Sequence, residues 1–241
     1  MTSIAHDRGA QAVQRSTLYA VLSRCLDYPT AESLAETRRD LAALSRDSFP
    51  ISTSRLIDAL AGSIPADLEG IQKVHQTLFP PIESQETPGF ETAFRGPDVF
   101  MQTAVMADVA GFYRAFGLQP GRDHRERPDH IAVELEFLAF VSMKEAVGLS
   151  RGDDGQAEVC RQAEARFLAD HLGDWGPELG RRMSRLADDG LFGVLGSLLD
   201  AWIGDRMAQV GVEPTGGGGL VTADGTGSDD GWEPISLVPH P

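Results

Sequence analysis

The feature that most restricts this chain is a helical spacing of apolar residues, which runs with short interruptions from about residue 11 to about residue 210. Strict alternation, which a half-buried strand needs, is scarce. The pattern therefore predicts an all-α fold, a single-domain helical bundle. In the first segment, 12–26, Val13, Leu18, Val21, Leu22 and Cys25 fall on one broad face. Tyr28-Pro29-Thr30 breaks it, and Thr30 is a suitable N-cap for a second helix holding Leu34, Leu41 and Leu44. Shorter helices are expected around 54–61 and 65–78, the latter with Pro65 in its first turn.

The stretch 79–97 is rich in Pro and Gly and reads as a long ordered loop or a partner-contacting segment. Two long helices follow. The first, 98–116, stacks Val105, Val109, Phe112 and Phe116; the second, 129–147, is apolar on nearly every side, which makes it the central helix. Three more are expected at 156–172, 177–188 and 191–210, with Gly173 and Gly190 as stops. The domain is drawn at 11–212, after a flexible lead-in over 1–10. From 213 to 241 the chain holds five acidic residues, four prolines, a run of four glycines and no Lys or Arg. Such a segment buries too little apolar surface to offset its ordering entropy, so a disordered tail is expected.

Charge and cysteines narrow the function. With 21 Lys and Arg against 36 Asp and Glu, the formal charge is −15. That surface repels nucleic acid and anionic lipid and attracts basic partners. Cys25 and Cys160 stand alone in apolar helical contexts and make neither a disulfide framework nor a zinc site. No apolar run reaches the length of a membrane span, and no export signal is visible at the N-terminus, so a cytoplasmic protein is expected. The glycines at 216–219 lack the Gly-Lys-Ser/Thr sequel of a phosphate loop, and no Gly-x-Ser-x-Gly elbow occurs.

One stretch stands out: Glu126-Arg127-Pro128-Asp129-His130-Ile131-Ala132-Val133-Glu134-Leu135. It is a charged hinge ending in proline, followed by the start of the central helix, with Asp129 placed to favour the helix N-terminus. Three readings are open: a well-capped helix in a generic scaffold, a metal-dependent bundle enzyme using His130 and Glu134, or a docking site. A carboxylate-bridged metal bundle requires matching Glu and Glu-x-x-His sets on other helices, and the sequence supplies none.

The stretch Glu-x-Pro-Asp-His-Ile-x-x-Glu-Leu resembles the signature of the TorD/DmsD family of redox-enzyme maturation chaperones. Arg15-Ser16-Thr17-Leu18-Tyr19 with Tyr28-Pro29 resembles the family's opening helix and turn, and Leu78-Phe79-Pro80-Pro81-Ile82-Glu83-Ser84 its Pro-Pro-aromatic-Glu loop, with Ile82 in place of the aromatic. The segments 107–118 and 167–175 are similar to the branch serving ethylbenzene- or dimethylsulfide-dehydrogenase-type enzymes. The resemblance implies a helical chaperone, itself without cofactor or turnover and monomeric or weakly dimeric. It would bind an apo molybdopterin-containing oxidoreductase subunit, often through its twin-arginine signal peptide, until the cofactor is inserted. It also implies a client-binding set of Glu126, Pro128, Asp129, His130 and Glu134, with a client arginine meeting Asp129 or Glu126.

Overall fold

The computed structural model describes residues 2–80, 86–118, 127–187 and 190–215, and among these the regular structure is entirely helical. Glu126, the centre of the Pro-Pro loop and the glycine-rich tail from residue 216 lie outside the described residues. Helix α1 (Thr2–Leu26) lies antiparallel to α7 (Ile131–Arg151). Arg15 pairs with Glu145, the Ser16 hydroxyl donates to the Ala139 carbonyl at 2.7 Å, and the Ser23 hydroxyl to the Ala132 carbonyl at 2.8 Å. These small hydroxyl residues let two apolar helices approach closely without stranding a polar group. Leu18, Val21, Leu22, Leu135, Leu138 and Val141 are buried along this seam, as expected of a central α7. Val13 is 37% exposed, and Ala12 takes the buried position instead.

Helix α2 (Ala31–Ala43) starts at Thr30 as expected, in a reciprocal capping box with Ser33. Helix α3 (Ile51–Ser63) packs on α10 (Leu191–Val210), whose Trp202 sits edge-on to Tyr19 and Phe49. Helix α4 covers Leu68–Leu78, so Pro65 lies in the connector before it, its carbonyl accepting from Arg38 at 2.8 Å. The long loop contains a four-residue helix, α5 (Glu91–Phe94). Helix α6 (Val99–Ala115) opens at Asp98, whose carboxylate accepts from the Phe100 and Met101 amides. One continuous core reaches from α1 to α10. No helix among the described residues is long and apolar enough to cross a membrane.

Three boundaries differ from the sequence reading. Helix α1 already begins at Thr2, inside the expected lead-in. Residues 213–215 belong with the described fold, the Thr215 amide donating to the Ala169 carbonyl at 3.0 Å. Gly173 does not stop a helix: α8 (Asp154–Phe167) runs through a π turn, Leu168–Leu172, directly into α9 (Gly173–Leu186). Glycine is needed there for closeness, since a Cβ on Gly173 would lie 2.3 Å from the Leu168 carbonyl oxygen and 2.5 Å from Met207 Sδ.

The same logic governs the antiparallel α9–α10 seam, where Gly180 faces Gly196 and the hydroxyls of Ser184 and Ser197 meet at 3.0 Å. A Cβ on Gly180 would come within 2.5 Å of the Gly196 carbonyl oxygen, a backbone atom that cannot swing aside. Gly180→Ala should destabilise the fold by about 1–3 kcal/mol, the ordinary cost of overpacking. Gly204→Ala on the open side, where a Cβ meets nothing within 4 Å, serves as the control. Urea melts of the two variants check this; equal midpoints would mean that the seam relaxes freely.

Candidate functional site

The sequence singles out the hinge before α7, and the structure shows what holds it. Residues 89–92 run against 129–131: the Ile131 amide donates to the Gly89 carbonyl and the Glu91 amide to the Asp129 carbonyl, both at 2.9 Å. The result is a single antiparallel bridge between Phe90 and His130. Gly89 allows this approach, since a Cβ there would sit 3.1 Å from His130 Nε2. From α6, the Tyr113 hydroxyl donates to the Pro128 carbonyl at 2.8 Å. Three segments distant in sequence therefore converge on the motif.

Asp129 is completely buried. Its carboxylate accepts from the Thr92 hydroxyl at 2.7 Å, the Thr92 amide at 3.2 Å, and Arg127 through Nε at 3.0 Å and Nη2 at 2.8 Å. A guanidinium from the chain itself, that of Arg127, thus sits against Asp129 and also lies 4.6 Å over the Phe90 ring. The helix cap differs from the sequence reading. His130, not Asp129, is the N-cap of α7, its Nδ1 accepting from the Ala132 amide at 3.3 Å while its ring stands edge-on to Phe90. Asp129 instead spends its lone pairs across the hinge.

Glu134 is likewise fully buried, one turn into α7, and accepts from the Trp175 indole N–H at 3.1 Å. Burial, reinforced by the nearby Glu91 carboxylate, pushes its carboxyl well above the usual carboxylate range. Glu91, also fully buried, faces three partners: Arg95 at 2.7 Å, His171 Nδ1 at 3.0 Å and the Glu134 side. Arg95 continues to Asp174 at 2.5 Å and the Asp170 carbonyl at 2.8 Å. His171 reaches Asp108 of α6 at 3.2 Å. Burial opposes charge on His171, but Asp108 and Glu91 outweigh it and lift its pKa to about 9. Arg95 and His171 thus give the buried Glu91 side chain two cationic partners, which burial of such a group requires.

The π turn gives His171 this position, in a segment where a regular helix would rotate it by part of a turn. Around it Phe112, Tyr113, Phe116, Phe137 and Phe167 form an aromatic cluster that seats α6. Among the five hinge residues singled out by sequence, Asp129 and Glu134 are thus interior, Pro128 and His130 are half-buried, and Glu126 lies outside the described residues. His130 and Glu134 engage different partners. Among the described residues no cluster of three or more His, Cys, Asp or Glu side chains is placed to hold a metal.

The residues that sequence reasoning missed are Glu91, Thr92, Arg95, Arg127, His171 and Trp175. One signal pointed toward them: Glu134 falls on the core side of a helix with Ile131, Leu135 and Leu138, and a carboxyl there requires a partner. Which partner depends on the long-range bridge, which no local pattern encodes.

Comparison with known proteins places this arrangement. The nitrate reductase delta subunit family matches residues 46–180, which contain the whole hinge network. The selenate reductase assembly chaperone of Thauera selenatis is 36% identical over 44% of this chain and 57% of its own length. The chlorate reductase assembly chaperone of Ideonella dechloratans is 27% identical over 81% of this chain and 89% of its own. A solved structure described as a redox enzyme maturation protein, from Archaeoglobus fulgidus, shares the fold with a TM-score of 0.53 and 18% identity over 78% of this chain and 93% of its own.

Proposed function

We propose that this chain, which belongs to the nitrate reductase delta subunit family, is a cytoplasmic assembly chaperone for a molybdopterin-containing oxidoreductase subunit. It holds the apo subunit, including a twin-arginine signal segment, until the cofactor is in place, and has no turnover of its own. The observation that carries this reading is the agreement of two relatives, both named as reductase assembly chaperones, with a family match over residues 46–180 that contains the hinge. The Thauera relative is spanned over little more than half its length, so the reading leans more on the Ideonella one.

The buried network supports a binding module over a catalyst. Its buried acidic groups are bonded inside the fold, where Asp129 and Glu134 fix the shape of the hinge, and the half-buried Pro128 and His130 lie at its edge. Next to α5 the start of α6 offers a surface of matching chemistry. Val99 is 69% and Phe100 88% exposed, and the exposed Asp98 caps the same helix. A signal segment brings two arginines and an apolar stretch, which such a mixed acidic and apolar face receives.

Mixing the chain with its apo client, with and without the signal segment, and measuring affinity by calorimetry tests the proposal. A complex that weakens with salt and roughly tenfold on Phe100→Ser is expected, about the worth of one buried aromatic contact. The exposed Phe100 makes the melting curve of that variant a clean control. No complex with either form of the client would sink the reading.

A further inference from the structure

On the side of α1 that faces α8 and α10 lies a polar cavity of about 480 Å³, unrelated to the hinge, into which Arg8, Arg15, Arg161 and Arg206 converge. Four guanidiniums in one concavity are unexpected in a chain of formal charge −15. Two buried carboxylates set them in place. Glu145 is shared by Arg15 and by Arg161, the latter at 3.1 Å, and Glu164 holds Arg206 through two bonds of 3.0 and 3.1 Å. Glu164 also accepts from the Tyr19 hydroxyl at 3.0 Å, which leaves its remaining capacity small.

The carboxylates do not use up the donors. Each guanidinium has five N–H groups; Arg161 uses three of them on Glu145 and Glu158, and Arg206 three on Glu164 and Gln209, which leaves two on each without one of these bonds. Arg15 Nε is buried with no hydrogen-bond acceptor, the nearest carboxylate oxygen of Glu164 being 3.7 Å away. Arg8, on the exposed side of α1, forms no salt bridge among the described residues and stands at the mouth. Counting Glu158 at the rim, four positive side chains meet three negative ones, so the cavity has a local excess of positive charge. Arginines fixed by buried carboxylates lose little entropy on binding, and forked donors suit a planar or tetrahedral oxyanion.

We infer that this cavity is a binding site for a small oxyanion of the diphosphate class, held by Arg8, Arg15, Arg161 and Arg206. Among the described residues no aromatic side chain lines it, so the ligand is read through its phosphate oxygens and not by stacking of a base. The volume accommodates a diphosphate with a small organic substituent. Inorganic pyrophosphate and an organic diphosphate share this chemistry.

Calorimetric titration of the full chain with inorganic pyrophosphate, in low-salt buffer free of phosphate, is the test. Saturable binding at one site per chain is expected, weakened about ten- to a hundredfold by Arg8→Gln and by Arg161→Gln, the worth of one charge-assisted contact each. Arg8→Gln should leave the melting temperature unchanged, which separates lost recognition from lost folding. Absence of saturable heat with the wild-type chain, or wild-type affinity in both variants, overturns the site. A nucleoside diphosphate titrated in parallel distinguishes the source. Affinity within a few fold of pyrophosphate agrees with recognition through oxygens alone, whereas a gain above tenfold overturns that mode.

Discussion

Glu91→Ala should destabilise this protein by about 3–5 kcal/mol, the range for removing one partner of a buried ion pair. The carboxylate is fully buried and is shared by Arg95 and His171, whose side chains are only 6% and 3% exposed. Neither can turn to water without opening the joint between α5, α9 and the π turn. The lower end of the range is expected, because Arg95 keeps Asp174 and His171 keeps Asp108. Urea denaturation followed by circular dichroism measures it. A loss below 1 kcal/mol would show that water enters the site, and that the network is not the interior cluster described above.

Glu134→Gln supplies the contrast within the same cluster. Burial beside Glu91 pushes its carboxyl well above the usual carboxylate range, toward the uncharged form that an amide of the same shape imitates. The change should leave stability within about 1 kcal/mol of wild type, since the amide oxygen still accepts from Trp175. Two carboxyl groups within one cluster thus respond to substitution by very different amounts. The difference follows from which of them has cationic partners.

Much of the fold was legible in local pattern, because helical spacing and capping are local properties. The Thr30 cap, the Asp98 start, the central α7 and the Tyr28-Pro29 break all follow from residues within a few positions of one another. The misreadings also have local causes. Gly173 and Pro177 read as a stop and a start, but tertiary packing against Met207 and a π turn hold the chain helical through both. Pro65 was placed in a first turn that begins at Leu68. At the site, the motif was visible and its wiring was not. Apart from the neighbouring Arg127, the partners of Asp129 and Glu134 come from residues 92 and 175, and their distance along the chain hides them from any periodicity. The family resemblance found the hinge, while the inward orientation of its carboxylates required the bridge between Phe90 and His130.

That orientation changes what substitution at Asp129 should do. Read from sequence, Asp129→Asn keeps a helix cap and loses only a contact to the client. In the structure the cap belongs to His130, and the Asp129 carboxylate closes the hinge through Thr92 and Arg127. An amide retains one oxygen for the Thr92 donors but turns its NH2 toward a guanidinium, so about 1.5–3 kcal/mol of charge-assisted bonding is lost. Arg127, 40% exposed, then swings into solvent and releases the Phe90 ring beneath it. Client affinity should fall with it, by one to two decades if the closed hinge is what the client recognises. Arg127→Gln separates the two roles of the carboxylate. It removes the internal cation and leaves Asp129 to accept an arginine from outside. If Asp129 is an anchor, both variants lose stability and affinity together; if it is a contact, Arg127→Gln binds the signal segment more tightly than wild type. Melting curves and titrations on the same two proteins decide between them. Tighter binding by Arg127→Gln would return Asp129 to the surface the client touches, and parallel losses would leave the contact to Pro128, His130 and the exposed start of α6.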